Sequence, residues 1–318
     1  LRFPQRYLLK ALKLYFVKDH TDKGDISPFS SLMVALAANI GAGNIIGVGV
    51  AIAAGGPGAV FWCWLTGVLG MATRYSEGLL AIKYRVENKD GNMSGGPMFV
   101  LERGLNSKWL GTAFAVFTAI AAFGIGNLTQ GNAAAEQLHH AFSIPSWGTA
   151  AVLTALTALV MLGGIQGIAR VCAFFVPFMA VIYIMGCLYI LTVQAEYIIP
   201  AIRYILDCAF TGEAAAGGAA GAAVMAAMRT GVARGLFSNE AGLGSAAIAS
   251  AAAQNRNPVR QALISSSGPF WDTVIICALT GIVLTTSIIA HPDISCTDGP
   301  RLTTLAFSKI PYIGSPLL

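Results

Sequence analysis

Apolar runs recur along the chain, each closed by charged or turn-forming residues, and several reach the ~20 residues that a helix needs to cross about 30 Å of hydrocarbon. The runs at residues 27–54, 59–85, 109–138, 147–163, 171–193, 214–253 and 263–289 predict seven membrane helices, numbered 1 to 7 here in chain order. Between the second and third, residues 91–104 predict a short re-entrant or interfacial piece, and residues 197–210 alternate as an amphipathic helix does. Ahead of helix 1, Arg6, Lys10 and Lys13 share a stripe beside Phe3, Tyr7, Leu14 and Tyr15. Residues 1–26 therefore predict a cytoplasmic or interfacial segment lying in the headgroup plane.

Two runs carry glycines where a helix resists them. Helix 1 holds Gly41-Ala-Gly-Asn-Ile-Ile-Gly-Val-Gly49 at its middle, and helix 6 holds Gly235-Leu-Phe-Ser-Asn-Glu-Ala-Gly-Leu-Gly-Ser245. Each interior glycine costs about 1 kcal/mol against alanine, so both stretches predict unwinding. Main chain opened at bilayer depth survives only where it faces protein, ligand or ion. Glycine runs also serve close packing, the role expected of Gly217 and Gly221. Paired interruptions five helices apart nevertheless point to a transporter built from inverted repeats that meet at a midplane site. Half-helix N-termini offer N–H groups to a carboxylate, and opened carbonyls can hold Na⁺ or an ammonium. That geometry suits a zwitterion.

Composition narrows the class further. Of 318 residues 55% are hydrophobic and only 11% charged, with a mean hydropathy of +0.66; soluble proteins carry about 25% charged residues. A disordered chain, a collagen and an ordinary cytosolic enzyme are excluded. The net charge of +5 does not build a nucleic-acid face, because the cations follow loops. They crowd before helix 1, between helices 2 and 3, and at Arg170, Arg256 and Arg260, which places the start of helix 1 in the cytoplasm. The six cysteines show no metal-type spacing and read as buried thiols, with a Cys208–Cys296 disulfide open if both lie outside. No cleavable signal sequence is expected, and short loops favour a bacterial inner membrane.

The chain thus reads as an all-α, polytopic membrane protein. Residues 27–195 form a first repeat of helices 1 to 5, and residues 196–318 open a second with helices 6 and 7; the count predicts about three further helices after Leu318. Among polar residues within the helices, Asn127, Gln130 and Ala134 share one face of helix 3, where Gln130 is either interhelical glue or a ligand group. Arg74 and Glu77 predict a local ion pair. Arg229 and Arg234 are candidates to pair with Glu240 or a gate partner, and Asp272 is a buried carboxylate suited to gating or proton coupling.

Asn39-Ile-Gly-Ala-Gly-Asn-Ile-Ile-Gly-Val-Gly49, Gly91-Asn-Met-Ser-Gly-Gly-Pro97 and above all Gly235-Leu-Phe-Ser-Asn-Glu-Ala-Gly-Leu-Gly-Ser-Ala246 resemble the alanine or glycine:cation symporter family, also called sodium:alanine symporters. The resemblance implies a LeuT-like fold of inverted five-helix repeats and Na⁺- or H⁺-coupled uptake of alanine or glycine, with no cofactor beyond the coupling ion. It also implies roles. The main chain of Ile46 and Gly47, with Asn44 nearby, would meet the substrate carboxylate, and Gln130 its polar end. Phe237, beside Ser238, would wall the methyl group. Backbone carbonyls of Ala37 and Ile40 would supply half of a sodium site, and Asn239, Glu240 and Asp272 are the polar residues of gate and framework. Two other classes compete. A membrane-embedded enzyme would need an HExxH, GxSxG or Walker A constellation, which the sequence lacks; a channel would need charge rings or a carbonyl filter.

Overall fold

The computed structural model describes residues 3–17, 23–211, 220–292 and 299–308. A 3₁₀ turn at Pro4–Tyr7 leads into α1 (Leu8–Leu14). Helix α2 (Pro28–Asn39) starts with proline in its first turn and with the Ser27 hydroxyl oxygen accepting the Ser30 amide at 3.0 Å. After Ile40 and Gly41 come α3 (Ala42–Gly55) and α4 (Ala59–Lys83). Strands β1 (Val86–Glu87) and β2 (Met93–Ser94) pair antiparallel. They are followed by α5 (Pro97–Gly104) and α6 (Lys108–Ala121), which passes through a π-helical stretch, Ala122–Leu128, into α7 (Thr129–Phe142). Then follow α8 (Ser146–Leu162), α9 (Gly164–Val193), α10 (Ile198–Phe210), α11 (Ala220–Asn239), α12 (Ser245–Ala251) and α13 (Pro258–Ser266). A second π-helical stretch, Phe270–Cys277, begins just after Pro269, which has no N–H to give to the turn before it. Helices α14 (Ala278–Ala290) and α15 (Gly299–Ser308) complete the described chain.

Both expected interruptions exist, and the first is narrower than the glycine spacing suggests. Only Ile40 and Gly41 leave the helix; Gly43, Gly47 and Gly49 are helical. In the second interruption, residues 235–239 remain in α11, and the chain opens at Glu240–Gly244. There Glu240, Gly242 and Gly244 take φ of 49°, 102° and 80°, left-handed values that two glycines adopt without a Cβ penalty. Among the described residues four helical stretches, Pro28–Gly55, Lys108–His140, Gly164–Val193 and Pro258–Ala290, are long and apolar enough to cross a membrane. Ser146–Leu162 is apolar and shorter. Of the seven expected spans, α4 carries Arg74, Glu77 and Lys83, which lowers its hydropathy.

The chain packs as two compact units. The first comprises Leu1–Ala38, Gly70–Pro177 and Glu240–Pro269. In it, the Tyr15 hydroxyl donates to Ser267 Oγ, tying the end of α1 to the end of α13. The Arg85 guanidinium donates to four carbonyls, those of Lys23, Ala251, Ala253 and Asn255, at 2.7–3.0 Å. Ile26 and Ala253 pair as a single parallel bridge, and the Met93 amide donates to Asp25 Oδ2 at 2.9 Å. Phe117, Leu159 and Leu162 stand 70%, 71% and 90% exposed, an arrangement that hydrocarbon tolerates and water penalises.

The second unit comprises Asn39–Leu69, Phe178–Asn239 and Phe270–Leu318. Its core gathers Val48, Ile52, Val60, Cys63, Ile205, Leu284 and Leu302. Helix α3 lies between α11 and α15. At Gly49 an added Cβ would stand 2.6 Å from the Gly299 carbonyl oxygen, so α3 and α15 meet backbone to backbone. Gly49→Ala is expected to destabilise by about 1–3 kcal/mol through overpacking. Gly131→Ala, in a helical position with open space around it, should gain up to ~1 kcal/mol. Apparent melting temperatures of the two variants in detergent, moving in opposite directions, check this.

Candidate solute and ion site

The first interruption redirects one hydrogen bond. In an unbroken helix the Gly41 amide would serve the Ala37 carbonyl; here it donates to Asn44 Oδ1 at 3.0 Å. Asn44 thus caps the start of α3 from within its first turn, and the Ala37 carbonyl drops out of the ladder.

The same carboxamide organises a buried polar cluster in the second unit. Asn44 Nδ2 donates to Asp272 Oδ1 at 2.7 Å and to the Asp272 carbonyl at 3.0 Å, and approaches Cys277 Sγ at 3.4 Å. Asp272 Oδ2 accepts from Ser238 Oγ at 2.9 Å and from Thr273 Oγ1 at 2.6 Å. Asn44, Asp272 and Thr273 are fully buried, Ser238 and Cys277 nearly so. Three elements meet here: the start of α3, the end of α11 and the wide turn Phe270–Cys277. A π turn swings side chains out of α-helical register, and here the segment presents Asp272 and Cys277 to Asn44. Nearby, Asn39 Nδ2 donates to the Asn239 carbonyl at 3.1 Å, while the buried Asn39 Oδ1 has no protein partner.

Small residues let α11 approach the start of α3 closely. An added Cβ at Gly43 would touch the Phe237 ring at 3.5 Å, so Phe237 lies along this part of the helix. The Arg234 guanidinium sits 6.0 Å from the centre of the same ring. Among the described residues neither Arg229 nor Arg234 is ion-paired. Ile46 and Gly47 lie in the second turn of α3; the amides nearest the interruption are those of Ala42 and Gly43.

Of the remaining candidates, Ala37, Gln130 and Glu240 belong to the first unit. Ala37 is in the last turn of α2, and Gln130 is half-buried at the start of α7. Glu240 opens the second interruption and accepts from the Ser245 hydroxyl. That interruption is held by Glu77, whose Oε1 accepts the amides of Gly242 and Gly244 at 2.8 and 3.1 Å. The expected Arg74–Glu77 pair is present at 3.6 Å, so Glu77 serves both a cation and an opened main chain. Among the described residues no group of His, Cys, Asp and Glu is arranged to hold a metal ion. Cys296 lies outside the described residues, as does its suggested bridge to Cys208.

A sequence profile described as the sodium:alanine symporter family matches residues 1–318. The chain belongs to the sodium:alanine symporter family. It is 50% identical over 311 residues to the sodium/alanine symporter AgcS of Methanococcus maripaludis, covering 96% of this chain and 68% of that protein. It is 51% identical over 306 residues to an uncharacterized transporter of Haemophilus influenzae, covering 96% of this chain and 66% of that protein. It is 37% identical over 294 residues to the probable sodium/glutamine symporter GlnT of Bacillus subtilis, covering 92% of this chain and 59% of that protein. The chain therefore spans about two thirds or less of the length of these relatives. The family consists of transporters rather than enzymes, and with the apolar helices described above the chain is a multi-pass membrane protein.

Sequence reasoning missed Thr273 and Cys277 as partners in the cluster, and Glu77 as the holder of the second interruption. Glu77 has amides for partners, and amides leave no mark in a sequence. Pro269 was the available sign of the wide turn. Asn44→Ala strips Asp272 of a donor and Gly41 of its acceptor, so it should destabilise by about 2–4 kcal/mol. Ser238→Ala leaves Thr273 on the same carboxylate oxygen and should cost about 1 kcal/mol. Thermal unfolding of both variants in detergent checks this ranking.

Proposed function

We propose that this chain carries out Na⁺-coupled symport of a small neutral amino acid, alanine or glycine, by alternating access on a LeuT-like fold of inverted repeats. The observation that carries the reading is the redirected Gly41 amide: it goes to Asn44 rather than to the Ala37 carbonyl, and so parts α2 from α3 beside a buried, hydrogen-bonded cluster. A freed carbonyl such as that of Ala37, with Ile40 beyond it, is the oxygen ligand that Na⁺ takes in this class of transporter. The start of α3, the positive end of that helix's dipole and the place where Asp272 locks Asn44, is the complement to a substrate carboxylate. Phe237 packs over Gly43 as an apolar wall, which favours a small substrate side chain. The roles of Gln130, Glu240 and the main chain of Ile46 and Gly47 rest on the family resemblance.

Coupling follows if ion binding orders the interruption and so completes the carboxylate site, favouring one conformation of the carrier. The names of two relatives, one for alanine and one for glutamine, make substrate size the discriminating variable. The test is uptake of radiolabelled alanine, glycine and glutamine into proteoliposomes by the full-length protein under imposed Na⁺ or H⁺ gradients. An inward Na⁺ gradient should drive accumulation of alanine or glycine at least tenfold over a gradient-free control, with glutamine excluded. Uptake indifferent to Na⁺ would overturn the reading.

A further inference from the structure

Beside Phe237 the second unit contains a cavity of about 370 Å³. Val50, Ala51 and Ala54 of α3 form one wall; Arg229, Ala233, Arg234 and Phe237 of α11 form most of the other. At ~30 Å³ per water the space holds roughly a dozen waters, or a small organic anion with its residual hydration. Its lining contains two guanidiniums and no carboxylate. Among the described residues neither guanidinium is neutralised by an ion pair. The apolar remainder is Phe237, three alanines and one valine, and the short side chains leave room for an aliphatic group of one or two carbons.

We propose that this cavity is a second binding site, one for a small carboxylate, held by Arg229 and Arg234 and separated by Phe237 from the start of α3. A guanidinium presents paired N–H groups that match a carboxylate's two oxygens, which a spherical anion does not have. Phe237 lies against both places: it lines the cavity, and its ring covers Gly43. Arg234, stacked on that ring, couples the anion's charge to the ring's position. Identifying the carboxylate as that of the transported amino acid rests on the transport reading above. The affinity of the cavity for a carboxylate does not.

The experiment places a cysteine at the exposed Ala54 in the full-length protein and compares its modification by the anionic sulfonatoethyl and the cationic trimethylammonioethyl methanethiosulfonates, after subtracting the reaction of the parent protein. Two uncompensated guanidiniums should make the anionic reagent roughly tenfold faster than in an Arg229→Gln/Arg234→Gln background. Each single variant should lose about threefold, a comparison that stands if the double variant does not fold. Millimolar propionate and alanine should slow the anionic reaction, while alaninamide and chloride at equal ionic strength should not. A charge preference that survives loss of the arginines, or protection by chloride as strong as by propionate, would overturn the proposal. Propionate carries no ammonium, so its protection requires no transport. Uptake without carboxylate protection would refute this site alone, and protection without uptake would refute the transport reading alone.

Discussion

The structure depends on one constraint: every main-chain amide and carbonyl released from a helix within an apolar surrounding needs another partner, because none is supplied by hydrocarbon. Two side chains meet that need at the interruptions, and a third gathers carbonyls of the loop backbone. Asn44 receives the Gly41 amide at the first interruption, Glu77 receives the amides of Gly242 and Gly244 at the second, and Arg85 gathers four carbonyls around the segments that follow α12 and precede α2. The chemistry is matched in each case. A carboxamide or carboxylate oxygen meets N–H groups, and a guanidinium meets carbonyls. Opened backbone is thereby made affordable without closing it, which is the condition for a solute or ion to compete for the same groups.

Asn44 also joins backbone to chemistry. Its oxygen holds the start of α3 and its nitrogen holds Asp272, so the shape of the interruption and the orientation of a buried carboxylate are fixed by one planar group. Ser238 and Thr273 complete that carboxylate's shell from two further elements. Because α3 lies in backbone contact with α15 at Gly49, the helix carrying Asn44 has little lateral freedom. The cluster sits on a closely packed support, and the side chain lying next to it is that of Phe237.

Much of this was legible in the amino-acid order, for identifiable reasons. Four glycines in nine positions revealed an interruption in helix 1, yet the same residue type serves unwinding and close approach, and the order alone does not separate them. Gly41 does the first, and Gly49 the second. The second interruption was placed more closely because Asn239 and Glu240 add polarity to the glycines. Asp272 stood out as a carboxylate in an apolar run, whereas its partners lie 228 and 34 residues away, at Asn44 and Ser238, and become visible only through folding. The π-helical stretches are too short to impress their wider period on the sequence, so helices 3 and 7 read as uniform.

Arg85 has a consequence for chain length. Its fork spans carbonyls from residues 23 to 255, fixing the spacing between strands of irregular backbone as a ladder would in a sheet. A guanidinium has a set reach and set angles, so adding or deleting one residue between Ala251 and Asn255 would carry at least one acceptor out of range. An added residue would be better accommodated in the tip between β1 and β2, which the Arg85 fork does not reach.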